Sequence, residues 1–307
     1  MATKTQCRIG SDVDLLSRIQ LQEVLRLLEE SGPKSSVEFT APPETTFLKE
    51  SKAQPNTPSR VVLLMSGLVS GAYDALVLDA TVAPTQPPVG LAISAITRRL
   101  TPYDALVCKD ETILDELPER AVLAANGARR EAQMRYYRPD LRIVQSRGSL
   151  DSLIQKVKGA KIDAAVVAAA DMERLGKQEC VVELLTTAVC VPAAGQGALV
   201  VLVRSGDQHF HDSVSRINDP TSHRELAAEW AFLDHMGVNG AAPVGVIAST
   251  EAKVVEMEGV LASMDGRERI QITVKGSPGH ERELGRTLAE EILDAGGRDI
   301  LQELHLA

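Results

Sequence analysis

Apolar positions along the chain change period repeatedly, and the changes mark out its elements. Cys7-Arg8-Ile9-Gly10-Ser11 reads as a short strand. Leu15, Leu16, Ile19, Leu21, Val24, Leu25 and Leu28 then recur at helical spacing, which predicts a helix over 14–30 with Asp14 as its cap. Val37-Glu38-Phe39-Thr40 alternates as a strand does, whereas residues 41–59 hold four prolines among polar residues and read as a loop. A helix near 60–70 leads to the apolar run 73–78, the pattern of a buried parallel strand. Further strands are expected at 91–96, 105–108, 121–125, 141–144 and 164–169, with helices over 128–137 and 149–158. Strands alternating with helices predict an α/β fold with parallel or mixed sheets.

The pattern changes after residue 204. Residues 204–222 are polar and read as a connector, and a helix is expected over 222–236. Three alternating runs at 244–248, 254–262 and 269–274 predict a small antiparallel sheet, closed by a helix over 281–295. The expected organisation is an α/β domain 1 from 1–96 with about 196–216, an α/β domain 2 from 97–195, and a small α+β domain 3 from 217–307. Folds of this class take their ligands at the carboxyl ends of the strands.

Composition narrows the function. Apolar residues make up 44% and charged ones 24%, enough to bury a core. Thirty-three Lys and Arg against 42 Asp and Glu leave a net charge of −9, and only 3% of residues are aromatic. No nucleic-acid partner is therefore expected, since both the basic excess and the stacking platforms are missing. No apolar run of about 18 residues exists, so no membrane span is expected, and the first eleven residues lack the apolar stretch of a signal peptide. Four scattered cysteines without a CxxC pair point to a reduced, cytoplasmic protein without structural zinc. His209-Phe210-His211 lacks a third ligand at suitable spacing and reads as solvated surface, so no metal site is expected.

Candidate chemistry gathers in the middle of the chain. Arg129-Arg130 follow a predicted strand and the turn Asn126-Gly127. Two cations at a helix start oppose the helix dipole unless an anion offsets them, which makes an anion site the preferred reading over a solvated pair. Ser146-Arg147-Gly148-Ser149 is a second strand-to-helix turn, whose small residues let a ligand approach backbone amides. Arg174 precedes Leu175-Gly176 at a helix end, where a cation is an ordinary cap as well as a candidate ligand group. Pro192-Ala193-Ala194-Gly195-Gln196-Gly197-Ala198 reads as a tight crossing that needs glycine's φ freedom. Arginines converging on one cleft suit a ligand with several carboxylates.

In combination these segments resemble the porphobilinogen deaminase (hydroxymethylbilane synthase) family. The likeness rests on Gly127-Ala128-Arg129-Arg130, Arg138-Pro139-Asp140-Leu141, Ser146-Arg147-Gly148, Arg174-Leu175-Gly176 and Pro192–Gly197 in order, with weaker matches at Arg8-Ile9-Gly10-Ser11, residues 73–84 and Pro243-Val244-Gly245. The resemblance implies head-to-tail condensation of four porphobilinogens into a linear tetrapyrrole. It also implies a dipyrromethane cofactor on a third-domain cysteine, arginines for the acetate and propionate groups, and a first-domain carboxylate that handles protons. Here the chain departs from the pattern. Gly240 stands where the cofactor cysteine belongs, and a hydrogen forms no thioether. Val82 stands where the carboxylate belongs, Asp12 replaces an arginine, Asp14 a serine, and Leu153 a further arginine. Arg129, Arg130, Arg147 and Arg174 remain.

The expected protein is therefore a divergent relative. Its ligand, a pyrrole or other polycarboxylate, is held by Arg129, Arg130, Arg147, Arg174, Ser146 and Gly148, with Asp12 and Asp14 on the facing side. No covalent cofactor is expected, no catalytic residue is assigned, and Asp79 is the candidate for a displaced acid. For Asp12 and Asp14 the competing reading is that both cap the first helix. Two alternatives stand beside this reading. One is an active hydroxymethylbilane synthase whose primer is held differently, Cys190 or Cys108 being candidate thiols. The other is a cytoplasmic anion-binding sensor or scaffold with a protein partner, since the two α/β domains resemble type II periplasmic binding proteins; Trp230, the single tryptophan, would report its closure.

Overall fold

The computed structural model describes residues 5–31, 37–41, 60–238, 242–251 and 253–306. Most of the expected 41–59 loop, and the segment 239–241 with Gly240, lie outside the described residues. The chain begins β1 (Thr5–Gly10), α1 (Leu15–Glu30), β2 (Val37–Thr40), α2 (Arg60–Val69), β3 (Ala75–Asp79) and β4 (Leu91–Ile96). It continues β5 (Asp104–Cys108), β6 (Val122–Ala125), α3 (Ala128–Tyr137), β7 (Arg142–Val144), α4 (Leu150–Lys158), β8 (Ala164–Ala168), α5 (Ala169–Arg174) and β9 (Val181–Leu184). The remainder is β10 (Leu199–Arg204), α6 (Gln208–Val214), α7 (Pro220–Met236), β11 (Val244–Glu251), β12 (Val254–Ala262), β13 (Arg269–Gly276), α8 (Glu281–Ile292) and α9 (Arg298–Leu306).

These elements form two compact units, one of residues 1–99 with 198–223, the other of residues 100–197 with 224–307. In the first unit the sheet runs β2-β1-β3-β10-β4, with β1, β2 and β3 parallel and β10 antiparallel to β3 and β4. The large sheet of the second unit, β7-β6-β8-β5-β9, repeats that plan, with β5 as the antiparallel strand. Both sheets are thus mixed, within the expected class of two α/β domains with parallel or mixed sheets. The reversed strands, β10 and β5, are those whose chain enters from the other unit.

Packing follows the side-chain pattern. Ala164-Ala165-Val166-Val167-Ala168 is buried along its whole length because helices cover both faces of its sheet, and such strands carry no alternation. Leu21, Val24 and Leu28 of α1 lie on one stripe and pack on Cys7, Ile9, Ala75 and Val77. The stretch 204–222 is not a bare connector. It contains α6, whose Phe210 and Val214 stand four apart and close the same core, while His209 is exposed. The short strands β9 and β10 have no counterpart in the expected elements, and the closing helix ends at Ile292, turns at Gly296 and resumes as α9. In the second unit β11, β12 and β13 form the expected antiparallel sheet. Among the described residues no helix is long and apolar enough to cross a membrane, and no cluster of three His, Cys, Asp or Glu is arranged to hold a metal ion.

Candidate anion-binding site

In the second unit, β6, β7 and β8 run parallel and each passes at its carboxyl end into a helix, α3, α4 and α5. Arg129 and Arg130 stand in the first turn of α3, Ser146, Arg147 and Gly148 in the turn before α4, and Arg174 at the end of α5. One strand reaches this edge in the opposite sense. Asp104, the first residue of β5, pairs in register with Ala168, the last of β8.

Asp104 is fully buried and organises the site. Its Oδ2 accepts from Nη1 of Arg129 at 2.5 Å and its Oδ1 from Nε of Arg130 at 2.9 Å. Arg129 also donates to the Val191 carbonyl at 2.9 Å and to Oε1 of Gln196 at 3.2 Å. Gln196 in turn donates to the Pro102 carbonyl and to Asp104. Burial would raise the Asp104 carboxyl, but the charges and hydrogen bonds of Arg129 and Arg130 outweigh it and hold the group well below the usual carboxylate range. Two cations against one anion leave the triad with a positive charge at a helix start.

The four arginines are not equivalent. Arg129 is only 8% exposed and spends its guanidinium on protein acceptors, so it lies behind the surface instead of facing a ligand as expected. Arg130 is half-buried, Arg174 is half-buried with Nη2 donating to the Gly197 carbonyl at 3.0 Å, and Arg147 is exposed. Ser146 is buried and exchanges two backbone bonds with the Asn126 side chain, which ties the turn before α4 to the turn before α3. Lys156, one helix turn on from Leu153, brings Nζ back to Ser146 Oγ at 2.9 Å and the Arg147 carbonyl at 2.8 Å. Gly148 has φ +117°, a conformation only glycine adopts readily, and it lets the turn fold over α4.

Asp104, Gln196 as a side-chain ligand, and Lys156 are the residues that spacing did not point to. For Asp104 a signal existed: a charged residue opening an apolar run must be paired when the strand is buried.

In the first unit Asp12, Asp14 and Asp79 lie at the carboxyl ends of the adjacent parallel strands β1 and β3. Asp12 forms an ion pair with Arg60 and accepts from the Val13 amide. Asp14 caps α1, accepting from the Ser17 amide at 3.0 Å and its hydroxyl at 2.6 Å. Asp79 takes a hydrogen bond from the buried Gln20 at 3.0 Å and two from Thr81. Val82, on the turn that Asp79 holds, is 54% exposed. Cys190 lies 3.4 Å from Nη1 of Arg129, fully buried, its thiol pushed up to about 12 by burial and then by Asp104.

Residues 7–212 match the family described as porphobilinogen deaminase, dipyromethane cofactor binding domain, and residues 223–294 match porphobilinogen deaminase, C-terminal domain. A porphobilinogen deaminase of Pelotomaculum thermopropionicum is 35% identical over 239 residues, 78% of this chain and 77% of the relative. One from Moorella thermoacetica is 32% identical over 306 residues, 97% of this chain and 96% of the relative. Among solved structures, a methionine binding protein aligns with TM-score 0.42 and 12% identity, covering 74% of this chain and 90% of that one. The L-cystine solute receptor of Neisseria gonorrhoeae aligns with TM-score 0.40 and 16% identity over 78% and 96%.

Proposed function

The chain belongs to the porphobilinogen deaminase family, and on that premise we propose that it binds a pyrrole or other polycarboxylate ligand without running the dipyrromethane-primed polymerisation. Arg130, Arg147 and Arg174 receive the ligand's carboxylates, Ser146 and Gly148 shape the turn beneath them, and Arg129 braces Arg130 through Asp104. The surplus positive charge of the Arg129–Asp104–Arg130 triad supports this reading, because a charge held at a helix start by a buried frame is offset when an anion arrives.

One observation carries the second half of the proposal: residue 82. Where the resemblance calls for a carboxylate there is an exposed valine, which neither moves a proton nor stabilises a cation. The nearby carboxylates do not stand in for it, since Asp12 faces Arg60, Asp14 caps α1 and Asp79 holds its own turn and Gln20. A thioether-linked dipyrromethane does not fit the two candidate thiols either. Cys190, the cysteine beside the arginines, is sealed in and protonated, and Cys108 lies at the other end of its strand from Asp104.

The test is incubation of the purified protein with porphobilinogen, followed by mass spectrometry of both protein and small molecules and by calorimetry. Saturable binding with unchanged protein mass and no linear bilane is expected. A covalent oligopyrrole on the protein, or bilane formed at an ordinary rate, overturns the proposal in favour of an active hydroxymethylbilane synthase that condenses four porphobilinogens on a differently held primer. The 32% identity to a relative named porphobilinogen deaminase over 97% of this chain favours that second reading. Absence of any binding at millimolar ligand overturns both.

A further inference from the structure

We propose that Arg269, the first residue of β13, is a positioning residue for the anion site: it holds Arg129 in place by gripping the segment 187–191. The proposal rests on the ligand reading above for what the site receives. How the site is held rests on packing within the second unit, to which Arg269, α3 and this segment all belong.

Residues 186–190 form a turn that belongs to no strand or helix. The Val189 and Cys190 amides donate back to the Thr186 carbonyl at 3.0 and 2.9 Å, which leaves the Thr187 and Ala188 carbonyls to other donors. Arg269 supplies them. Its Nη1 donates to the Ala188 carbonyl at 2.8 Å and its Nη2 to the Thr187 carbonyl at 3.1 Å. Gln271, on the same face of β13, adds Nε2 to the Thr187 carbonyl at 3.2 Å and also donates to Glu258 of β12. Val191 ends the segment, its carbonyl accepting from Arg129 at 2.9 Å and its amide donating to Gln133 at 2.8 Å. The same short segment is thus bonded to Arg269 near one end and to Arg129 at the other.

A second observation is independent of these bonds. The turn between β12 and β13 lies against α3: a Cβ on Gly266 would stand 2.5 Å from Cβ of Arg135 and 2.8 Å from the Tyr136 amide nitrogen. Beside it the Arg269 guanidinium sits over the Tyr136 ring, 5.5 Å from its centre, a cation–π contact. α3 is the helix whose first turn carries Arg129 and Arg130. One side chain therefore touches both elements that frame Arg129.

The placement of this charge is costly. Among the described residues Arg269 makes no ion pair, its Nε is buried without a hydrogen-bond partner, and burial pushes the guanidinium below its ordinary pKa. What the cation supplies is grip, since charge-assisted bonds to carbonyls are stronger than neutral ones and hold a turn that no ladder holds. Cys190 lies inside the gripped segment, 3.4 Å from Nη1 of Arg129 and 3.3 Å from Oδ2 of Asp104, so access to its thiol reports on the packing of the triad.

The test compares the unaltered full chain with Arg269→Met and Arg269→Lys by peptide hydrogen exchange, by iodoacetamide labelling of Cys190 under native conditions, and by calorimetry with porphobilinogen. In Arg269→Met, exchange over 187–191 and labelling of Cys190 are expected to quicken while exchange over β8 stays as it was. Affinity is expected to fall roughly tenfold, the scale of coupling within one bonded network. Arg269→Lys reaches one carbonyl instead of two and is expected to recover part of each effect. Exchange that quickens over β8 as well would make Arg269 a residue of general stability and overturn the proposal. A loosened segment with unchanged affinity, or a Cys190 as sealed as before, would overturn it too. If the unaltered chain takes up no porphobilinogen, the ligand reading fails, and exchange with Cys190 labelling still decides whether Arg269 holds Arg129.

Discussion

Arg129 donates to Asp104 at 2.5 Å with 10% and 0% of the two side chains exposed, so the pair that shapes the candidate site is itself removed from water. Desolvating both charges is costly, and the attraction between them, with the added bonds from Gln196 and Arg130, offsets that cost only while every partner is present. Asp104→Asn keeps the shape and strands two guanidiniums. Stability is expected to fall by about 3–5 kcal/mol, read as a lower urea midpoint at unchanged slope. A loss well under 1 kcal/mol would remove the brace from this description.

The same carboxylate sets a pH dependence. Burial pushes it up, but Arg129 and Arg130 more than reverse that, so its folded-state pKa lies below the usual value near 3.9. The unfolded chain then takes up the proton first. The pair's contribution is complete above about pH 5 and declines as pH falls through the ordinary carboxylate range toward the lower folded value. Urea midpoints between pH 3 and pH 7 should therefore drop more steeply on the acid side in the unaltered protein than in Asp104→Asn. Parallel curves would contradict the assignment.

Gly197 tests the crossing segment. Its φ is +95°, and a Cβ there would sit 2.9 Å from the Leu100 carbonyl oxygen, a backbone atom that has no room to move aside. Gly197→Ala is expected to cost about 2 kcal/mol or more, and also to displace the carbonyl that Arg174 holds. Thermal unfolding checks the first part.

Much of this was legible in the residues, and what was not has identifiable causes. The helices over 14–30 and 128–137 announce themselves because their stripes or caps repeat within one element: Leu21, Val24 and Leu28 in one, Gly127 in the other. β10 escapes notice because Leu199 to Val203 is buried on both faces and shows no period, and its reversed direction depends on where the chain returns, which no local pattern encodes. α6 hides behind polar neighbours, since only Phe210 and Val214 of its seven residues turn inward decisively beside Ser213. At the site, the arginine-bearing turns could be read, but which guanidinium is spent on buried protein acceptors could not. That choice is made by Asp104, 25 residues from Arg129 and invisible to spacing.

Lys156 and Arg147 should act as a unit. The ammonium holds the Ser146 hydroxyl and the Arg147 carbonyl, so it fixes the turn from which the Arg147 side chain extends. Lys156→Met and Arg147→Gln are each expected to weaken porphobilinogen binding, and the double variant to weaken it by less than the product of the two. Residues in one hydrogen-bonded network couple in this way, by about 0.5–3 kcal/mol. Additive effects in a calorimetric double-mutant cycle would mean that Lys156 binds ligand separately or not at all.

Comparing two neighbouring arginines separates bracing from binding. Arg129 is buried and bonded to Asp104, Val191 and Gln196, whereas Arg147 is exposed and makes no ion pair with another described residue. Arg129→Gln leaves the Asp104 carboxylate short of a buried partner and is expected to lower the unfolding temperature by many degrees. Arg147→Gln removes a surface cation, so the unfolding temperature should hold within a degree or two. Its effect falls on the ligand: a lost charge-assisted hydrogen bond of about 1.5–3 kcal/mol corresponds to roughly tenfold to hundredfold weaker binding. Raising the salt concentration should narrow that gap, because an exposed cation is screened while the buried triad is not. The opposite split, with Arg147→Gln unfolding the protein and Arg129→Gln altering only affinity, would reverse the roles given to these two side chains.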